Sequence, residues 1–359
     1  VDLLFRLAEQ YAQKARFFHF KAMELYAKID KAKSAAEKTK LTREQKKHFA
    51  EDKKWIGEAV KIYSAIAERP QFRNYARMDV ALFYYAYTLT QAGRGDDARK
   101  IYHRLIKDYP NSKYIPESYL AFGEHYFKQQ PPDLESAEKF YDKVLSFPKA
   151  SVYVYALYMK GWVLFNLGRP QDALDAWIKV AERTHNDKKQ VSLNRDAKKN
   201  VVRAYADVGK PELAFKMFEK IDKDYAFKML SFLGEYYLGQ GKAEKTVFIF
   251  RQMMEIDLAR AQAAAKDADK QLDKQICEWE HTVVRAILTV GNSEQKLAEL
   301  AKFNKLHKYL RDGQLLPKTN LDECRDNAME VTGQLAKMWH QEAIKTLNLK
   351  VQSAIQDEQ

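Results

Sequence analysis

The side chains that most often bind metal ions are present in this sequence, but their spacing does not suit that role. None of the eight histidines has a second histidine three or four residues away, and the motif His-Glu-x-x-His does not occur. A metal ion needs several ligands that converge on one point, and short helical spacings are the usual way for a sequence to supply them. The sequence therefore predicts no metal site, and no motif predicts a bound cofactor.

A phosphate-binding loop and a catalytic nucleophile are the next possibilities. Gly93-x-Gly95-x-x-Ala98 superficially matches a dinucleotide fingerprint, and it contains an Arg-Gly-Asp triplet. The fingerprint functions only directly after a β-strand, whereas an amphipathic helical pattern precedes it here, so we interpret it as a turn between helices. No Gly-x-Ser-x-Gly elbow is present, and the 49 Asp and Glu residues are typical of solvated helix surfaces. We expect a protein that is not an enzyme.

The two cysteines leave two interpretations open. Cys277 and Cys324 are 47 residues apart, and both fall near the starts of predicted helices. If the helices are neighbours in an oxidising compartment, a disulfide would add roughly 3–4 kcal/mol in the chain-entropy description. The alternative is a pair of buried thiols, since sequence alone does not show whether the geometry permits a bond.

The stretch 80–110 predicts two short amphipathic helices. The first has an apolar stripe at i, i+3, i+4 and i+7 that consists of Leu82, Tyr85, Ala86 and Leu89. Gly93 breaks this helix, and we expect Asp96 or Asp97 to cap the next one by accepting hydrogen bonds from its free N–H groups. The second stripe consists of Ala98, Ile101, Tyr102, Leu105 and Ile106. Hairpins this short need copies stacked on both sides to bury such stripes.

Copies of this hairpin recur along the chain. Their mark is a Gly, an Ala five residues later and an aromatic residue four further on: Gly93/Ala98/Tyr102, Gly168/Ala173/Trp177, Gly209/Ala214/Phe218 and, with Thr for Ala, Gly241/Thr246/Phe250. A fifth copy, Ala137/Tyr141, has residues 130–132 inserted in its turn. We expect each small residue to lie where two helices approach closely, with the aromatic ring filling the space behind it.

This pattern resembles the tetratricopeptide repeat, which has a period of about 34 residues. The repeats begin near Asp79, Pro116, Val154, Arg195 and Phe227, at intervals of 32 to 41 residues. The glycine that the family has in its first helix is present at Gly123, Gly161 and Gly234, whereas the family's Trp is absent. The resemblance implies an all-α fold, a right-handed α-solenoid of helical hairpins.

The repeats divide the chain into three predicted parts. Residues 1–70 form an enlarged helical hairpin that caps the array, 79–254 hold five repeats, and 255–359 form a helical extension with degenerate repeat-like hairpins. Within the first part, the Lys-rich residues 31–40 are interpreted as a solvated helix end or loop. No apolar run approaches the roughly 18 residues that span a bilayer.

The resemblance also implies a binding surface, because the first helices of this family line a concave groove that holds a partner protein or peptide. The candidate binding residues in the groove are Phe83, Tyr87, Phe127, Tyr155, Tyr158, Trp162, Phe165, Lys199 and Arg203. Asn166 and the two cations supply only fragments of the family's carboxylate clamp, so a chaperone-tail adaptor is not expected. Exposed aromatic side chains are rigid and have a large contact area, which favours the interpretation that the groove binds a partner. Burial of these rings by the solenoid's own packing is the alternative, and both remain open.

A net charge of +12 and a pI near 9.3 raise the question of a polyanionic partner. Lys and Arg are spread along the chain, however, and only residues 31–54 are concentrated, with nine Lys or Arg against four Asp or Glu. We therefore expect weak attraction to acidic protein or lipid surfaces, only indirect or electrostatic association with membranes, and no specific recognition of nucleic acid.

Residues 109–123, with the segment Tyr109-Pro110-Asn111-Ser112, resemble repeats of Gram-negative envelope proteins of the outer-membrane-assembly and Tol-Pal types. The Tyr- and Phe-rich form resembles periplasmic components of gliding machinery. This implies a non-enzymatic scaffold in a multiprotein envelope machine, in the periplasm. The chain begins with Val1, so we expect any signal peptide to precede it. A cytoplasmic regulator or chaperone adaptor, or the non-catalytic part of a larger enzyme, remains the alternative, and the sequence does not determine the oligomeric state.

Overall fold

The computed structural model describes residues 1–263 and 272–357. Within these ranges the chain consists of α-helices, two short 3-10 helices and connecting turns, with no β-strand. The expected all-α fold of helical hairpins is thereby confirmed. The chain groups into two compact units, Val1–Gly168 and Arg169–Gln359. The three-part division taken from the sequence stays a prediction, and its residues 264–271 and 358–359 lie outside the described ranges.

The first unit contains seven α-helices that follow one another as antiparallel hairpins. They are α1 (Asp2–Asp30), α2 (Ala35–Glu68), α3 (Met78–Gln91), α4 (Gly95–Asp108), α5 (Ile115–Phe127), α6 (Leu134–Leu145) and α7 (Tyr153–Asn166). Each helix packs against the next along the chain, and α5 also contacts α7. The first helices α5 and α7 are therefore neighbours, as a stacked repeat requires.

The hairpin of α1 and α2 is much longer than the others, with 29 and 34 residues. Small residues hold the two helices close together, since Ala8, Ala15, Ala22 and Ala59 are fully buried. Of the two interpretations of 31–40, the solvated helix end holds for its second half, because α2 begins at Ala35 and residues 35–40 are exposed. Ser34 caps it by accepting from the backbone N–H of Glu37 (3.2 Å), and the Glu37 carboxylate accepts from the backbone N–H of Lys33 (3.1 Å).

The turn between α3 and α4 differs from expectation in its capping. Gly93 has φ +73°, the left-handed region that favours glycine, as predicted for a helix break. The prediction that Asp96 or Asp97 caps α4 was wrong, because α4 begins at Gly95 and both acids lie in its first turn. Asp97 instead accepts from Arg94 (2.7 Å), and Asp96 accepts from Arg99. Acids in a first turn stabilise a helix through its dipole.

The pairs of small and aromatic residues behave as the repeat pattern predicts. Their members are all at most 4% exposed: Ala98/Tyr102, Ala137/Tyr141, Ala173/Trp177, Ala214/Phe218 and Thr246/Phe250. Glycine in the first helix makes room for the ring, since a Cβ on Gly123 would lie 2.7 Å from Cε1 of Tyr141, and one on Gly234 would lie 2.8 Å from Cε2 of Phe250. The repeated residues therefore form the hydrophobic core of each hairpin.

The second unit contains eight α-helices. They are α8 (Pro170–Thr184), α9 (Val191–Val208), α10 (Ala214–Ile221), α11 (Ala226–Gly239), α12 (Ala243–Ala263), α13 (Ile276–Val290), α14 (Ser293–Asp312) and α15 (Lys318–Asp357). Helix α9 packs on α8 and α11, and α11 packs on α10 and α12. A buried ion pair between Lys198 and Asp222 links α9 to the turn before α11. The Lys198 ammonium lowers the pKa of Asp222 against the opposing effect of burial, which by itself raises it.

The last three helices form a group in which each packs against the other two. Cys277 at the start of α13 and Cys324 in α15 are joined by a disulfide, with Cα atoms 5.2 Å apart. Glu299 of α14 is buried and accepts hydrogen bonds from Arg251 of α12 at 2.6 and 2.7 Å. A covalent bond and a buried charge cluster therefore fix this end of the second unit. Among the described residues, no helix is both long and apolar enough to cross a membrane.

Candidate protein-binding surface

The seven aromatic candidates all lie in the first unit, on the helices α3, α5 and α7. Tyr87 of α3 and Tyr155 of α7 are the most exposed of them, at 38% and 39%. The other five side chains are half-buried: Phe83, Phe127, Tyr158, Trp162 and Phe165. The surface therefore combines five half-buried aromatic side chains with two that are more than a third exposed.

Phe83 is engaged within its own unit. Its ring stacks on that of Tyr114 with centroids 4.3 Å apart and planes at 11°, and it also contacts the rings of Tyr84 and Tyr102. It stacks more loosely on Tyr87, at 6.4 Å. Much of the Phe83 ring is therefore buried by the protein's own packing, which is the alternative to partner binding. Its contact with Tyr87 orients that more exposed side chain.

The aromatic side chains of α5 and α7 are supported in the same way. Phe127 packs against a buried cluster that includes Ala137, Tyr141 and Val144 of α6. In α7, Trp162 meets Phe165 edge to face with centroids 6.5 Å apart. Rings held in this way lose little conformational freedom on binding, which is what a contact residue at an interface needs.

The carboxylate of Glu124 on α5 influences Tyr155 of α7. Burial, and next the charge of Glu124, raise the pKa of Tyr155 to about 12, so the hydroxyl is protonated at neutral pH. The Glu124 carboxylate also lies 3.5 Å from Nζ of Lys128. A large part of the Tyr155 side chain stays accessible.

The two cationic candidates lie in the second unit, on α9. Lys199 is exposed and its Nζ lies 5.7 Å from the ring centroid of Phe232, whereas Nη1 of Arg203 donates to Oδ1 of Asn200 at 3.2 Å. Asn166, the third fragment of a carboxylate clamp, uses its side-chain amide to donate to the backbone carbonyl of Trp162 at 2.8 Å. The structure thus places the aromatic and the cationic candidates in different units.

Two residues of this surface were not among the sequence-predicted candidates. Tyr114 precedes α5 and supplies the stacking partner of Phe83, and the charge of Glu124 helps to raise the pKa of Tyr155. Tyr114 belongs to the turn Asn111-Ser112-Lys113-Tyr114, which periodicity does not describe because it lies between helices. Glu124 does fall on the groove-facing spacing of α5, so that spacing could have identified it.

Comparison with known proteins agrees with the repeat pattern. The family model described as "Tetratricopeptide repeat" matches residues 80–112 and 155–183. No curated protein sequence matches the chain. A solved tetratricopeptide repeat protein from Parabacteroides merdae is similar at 12% identity and a TM-score of 0.39, covering 77% of this chain and 94% of its own. The pilF protein of Pseudomonas aeruginosa is similar at 12% identity and a TM-score of 0.33, covering 69% and 96%.

Stacked helical hairpins with one small residue and one aromatic ring per core define a helical-repeat protein. The two matched segments identify tetratricopeptide repeats at residues 80–112 and 155–183. Repeats of this kind are typical of scaffolds for protein–protein interaction.

Proposed function

We propose that the chain is a non-enzymatic adaptor that binds a segment of a partner protein along the first helices of the first unit. The observation that carries this proposal is the pair Tyr87 and Tyr155, each more than a third exposed on a helix whose opposite face is packed. A tyrosine in this setting offers apolar ring area and a hydroxyl at low entropic cost, as partner-binding residues do.

The adaptor is proposed to work in the periplasm as part of a multiprotein envelope machine of the outer-membrane-linked or gliding type. The disulfide between Cys277 and Cys324 supports an oxidising compartment, because cytosolic reductants keep most thiols reduced. The likeness of residues 109–123 to envelope repeats supports the setting. Trapping free thiols in intact cells tests the compartment: both cysteines should resist alkylation, and two modified thiols in the folded protein would place it in a reducing compartment.

The binding surface is tested by replacing its two exposed rings. We expect Tyr87→Ala with Tyr155→Ala to lower the amount of partner captured from a native envelope extract by about tenfold, since two contact residues of this kind contribute more than 1 kcal/mol each. Phe147→Ala is the matched control, because Phe147 is 37% exposed in the same unit but lies in the turn after α6. Undiminished capture by the double variant, at unchanged helicity, would reject this surface.

A further inference from the structure

The hairpin of α1 and α2 extends well beyond the helix that packs against it. Helix α3 has 14 residues, or about 21 Å, whereas α1 has 29, or about 44 Å. The two helices start together, since the hydroxyl of Tyr75 just before α3 donates to Asp2 at 2.7 Å, and the ring of Phe5 meets that of Tyr84 at 6.0 Å. Among the residues that the structure describes, no helix therefore packs on the far half of the hairpin where α3 would continue.

A single stripe on α1 runs through both halves. Its residues follow at spacings of three and four and share one helix face: Phe5, Ala8, Ala12, Arg16, His19, Met23 and Tyr26. Phe5 and Ala8 are fully buried, whereas Met23 and Tyr26 are 47% and 49% exposed, and Phe20 beside them is 61% exposed. The same apolar face is thus covered in its first half and open in its second.

A cleft of about 580 Å³ lies where α3 ends and no longer covers the hairpin. Its walls include Arg16, Phe20, Phe49 and Ile56 of the hairpin, and Gln91, the last residue of α3. His19 and Asp52 also line the cleft and form a hydrogen bond, with Nδ1 and Oδ2 3.0 Å apart. From Phe20 to the end of α1 there is room for about three helical turns in line with α3.

The cations around this open half are not paired with acids. Among the residues that the structure describes, no Lys or Arg in 1–54 forms an ion pair, although residues 31–54 alone contain nine of them against four acids. In the first repeat, by contrast, Arg94, Arg99 and Arg104 are each paired with an acid three or four residues away. Lys46 and Lys53 are exposed and lie three before and four after Phe49, on the same side of α2.

We propose that the open half of the α1–α2 hairpin is a second docking site, for an amphipathic helix of a partner protein that carries acidic side chains around an apolar stripe. The apolar stripe would meet Phe20, Met23, Tyr26 and Phe49, and the acids would pair with Arg16, Lys46 and Lys53. A helix fits because the site is a groove between two helices that already holds α3 in its first half. A flat lipid surface does not enter such a groove.

The probe is a fluorescein-labelled synthetic helix of about 18 residues with Leu at i, i+3, i+4 and i+7 and Glu at most other positions, titrated with the full chain by fluorescence anisotropy. We expect Phe20→Ser with Met23→Ser, and separately Lys46→Glu with Lys53→Glu, to weaken binding about tenfold or more. All four side chains are exposed, so the variants should keep the helicity of the parent.

The controls separate this site from a general attraction to a basic protein. Lys179→Glu with Lys216→Glu changes the net charge equally, at exposed positions of α8 and α10, and should bind like the parent. A scrambled peptide of the same composition should bind at least about tenfold more weakly. Equal weakening by the control reversal, or equal binding of the scrambled peptide, would overturn the proposal.

Two further results would also overturn it, by assigning the site to another occupant. One is tighter binding to phosphatidylserine-containing vesicles than to the peptide, lost on Phe20→Ser with Met23→Ser. The other is a dimer in sedimentation equilibrium that the same pair of substitutions dissociates. The variant Tyr155→Ala, whose side chain does not line this cleft, should bind the probe normally, so the failure of this site and the failure of the proposed function are distinguishable.

Discussion

The two ends of the described chain hold their terminal helices in different ways. At the N-terminal end, α1 and α2 pack through small alanines, and among the described residues no Lys or Arg in 1–54 forms an ion pair. At the C-terminal end, α13, α14 and α15 share a disulfide and a buried cluster in which Glu299 is paired with Arg251 and Lys302. The C-terminal group thus has a buried acid that is paired with cations, whereas the N-terminal hairpin has charge and apolar area available for a partner.

A repeat array can therefore end in helices that are joined by a disulfide and buried charges, or in a hairpin whose apolar and charged side chains are exposed. Burying charge is favourable only where geometry and partners compensate for lost hydration, as the Arg251–Glu299 pair does. An exposed lysine has no such requirement and stays available. Stability measurements on the two ends should therefore respond to different substitutions.

The largest effect is expected in the covered half of the N-terminal hairpin. Phe5→Ala should lower the free energy of unfolding by about 3–5 kcal/mol, because the ring is fully buried between Tyr63, Tyr84 and Arg77. Urea denaturation followed by circular dichroism measures it. A loss below about 1 kcal/mol would mean that α3 does not cover this half.

The covalent bond of the C-terminal group should come next. Cys277→Ala with Cys324→Ala should cost up to about 4 kcal/mol, since the bond closes a loop with a separation of 47 residues. Adding a reductant should destabilise the parent and leave the double variant unchanged, which controls for the loss of the side chains. If the parent is equally stable with and without reductant, this end is not held by the bond.

Glu280, a second buried acid of the same group of helices, should make the stability of the protein depend on pH. Burial, and next the charge of Glu299, raise the pKa of Glu280 from 4.5 to about 7. The folded chain therefore binds this proton more tightly than the unfolded chain, so its contribution is present below about pH 4.5 and is lost as pH rises towards 7. Glu280→Gln removes this dependence and should become more stable than the parent as pH rises from 5 to 8, by up to about 3 kcal/mol.

The control for that measurement is Glu278→Gln, an exposed acid two residues away on α13. Its stability difference from the parent should stay nearly constant over the same pH range. A difference for Glu280→Gln that does not grow with pH would show that Glu280 is ionised in the folded protein.

The smallest effect is expected in the open half of the N-terminal hairpin. Phe20→Ala should change the free energy of unfolding by less than about 0.5 kcal/mol, because the side chain is 61% exposed. Together with Phe5→Ala this compares two phenylalanines of one helix. A cost above about 2 kcal/mol would contradict the open groove, because it would mean that the Phe20 ring is covered.

Much of the fold could be predicted because it repeats. Ala98 and Tyr102 are informative only when the same spacing returns at Ala173 and Trp177, and the structure buries all four. The start of α2 could also have been predicted from the sequence, because Ser34 followed by Glu37 is a helix-capping signal. The many lysines around it favoured a different interpretation of this segment. Local rules of spacing and capping therefore account for most helices.

The site was less predictable because its contacts join distant residues. The effect of the Glu124 charge on Tyr155 depends on how α5 and α7 lie against each other, and the stacking of Phe83 on Tyr114 depends on a turn. The sequence left the pairing of Cys277 with Cys324 open for the same reason. Whether an aromatic side chain is a core residue or a contact residue is decided by its neighbours, which periodicity does not specify.

The central claim is that partner binding occurs on the first helices of the first unit, and site-specific photo-crosslinking tests it most directly. A photoreactive phenylalanine analogue placed at Tyr155, at Tyr87 and, as control, at Phe147 would be irradiated in cells that contain the partner. Discrete crosslinked products at Tyr87 and Tyr155 but not at Phe147 are the predicted result. Crosslinks at Phe147 alone, or the same products at all three positions, would contradict it.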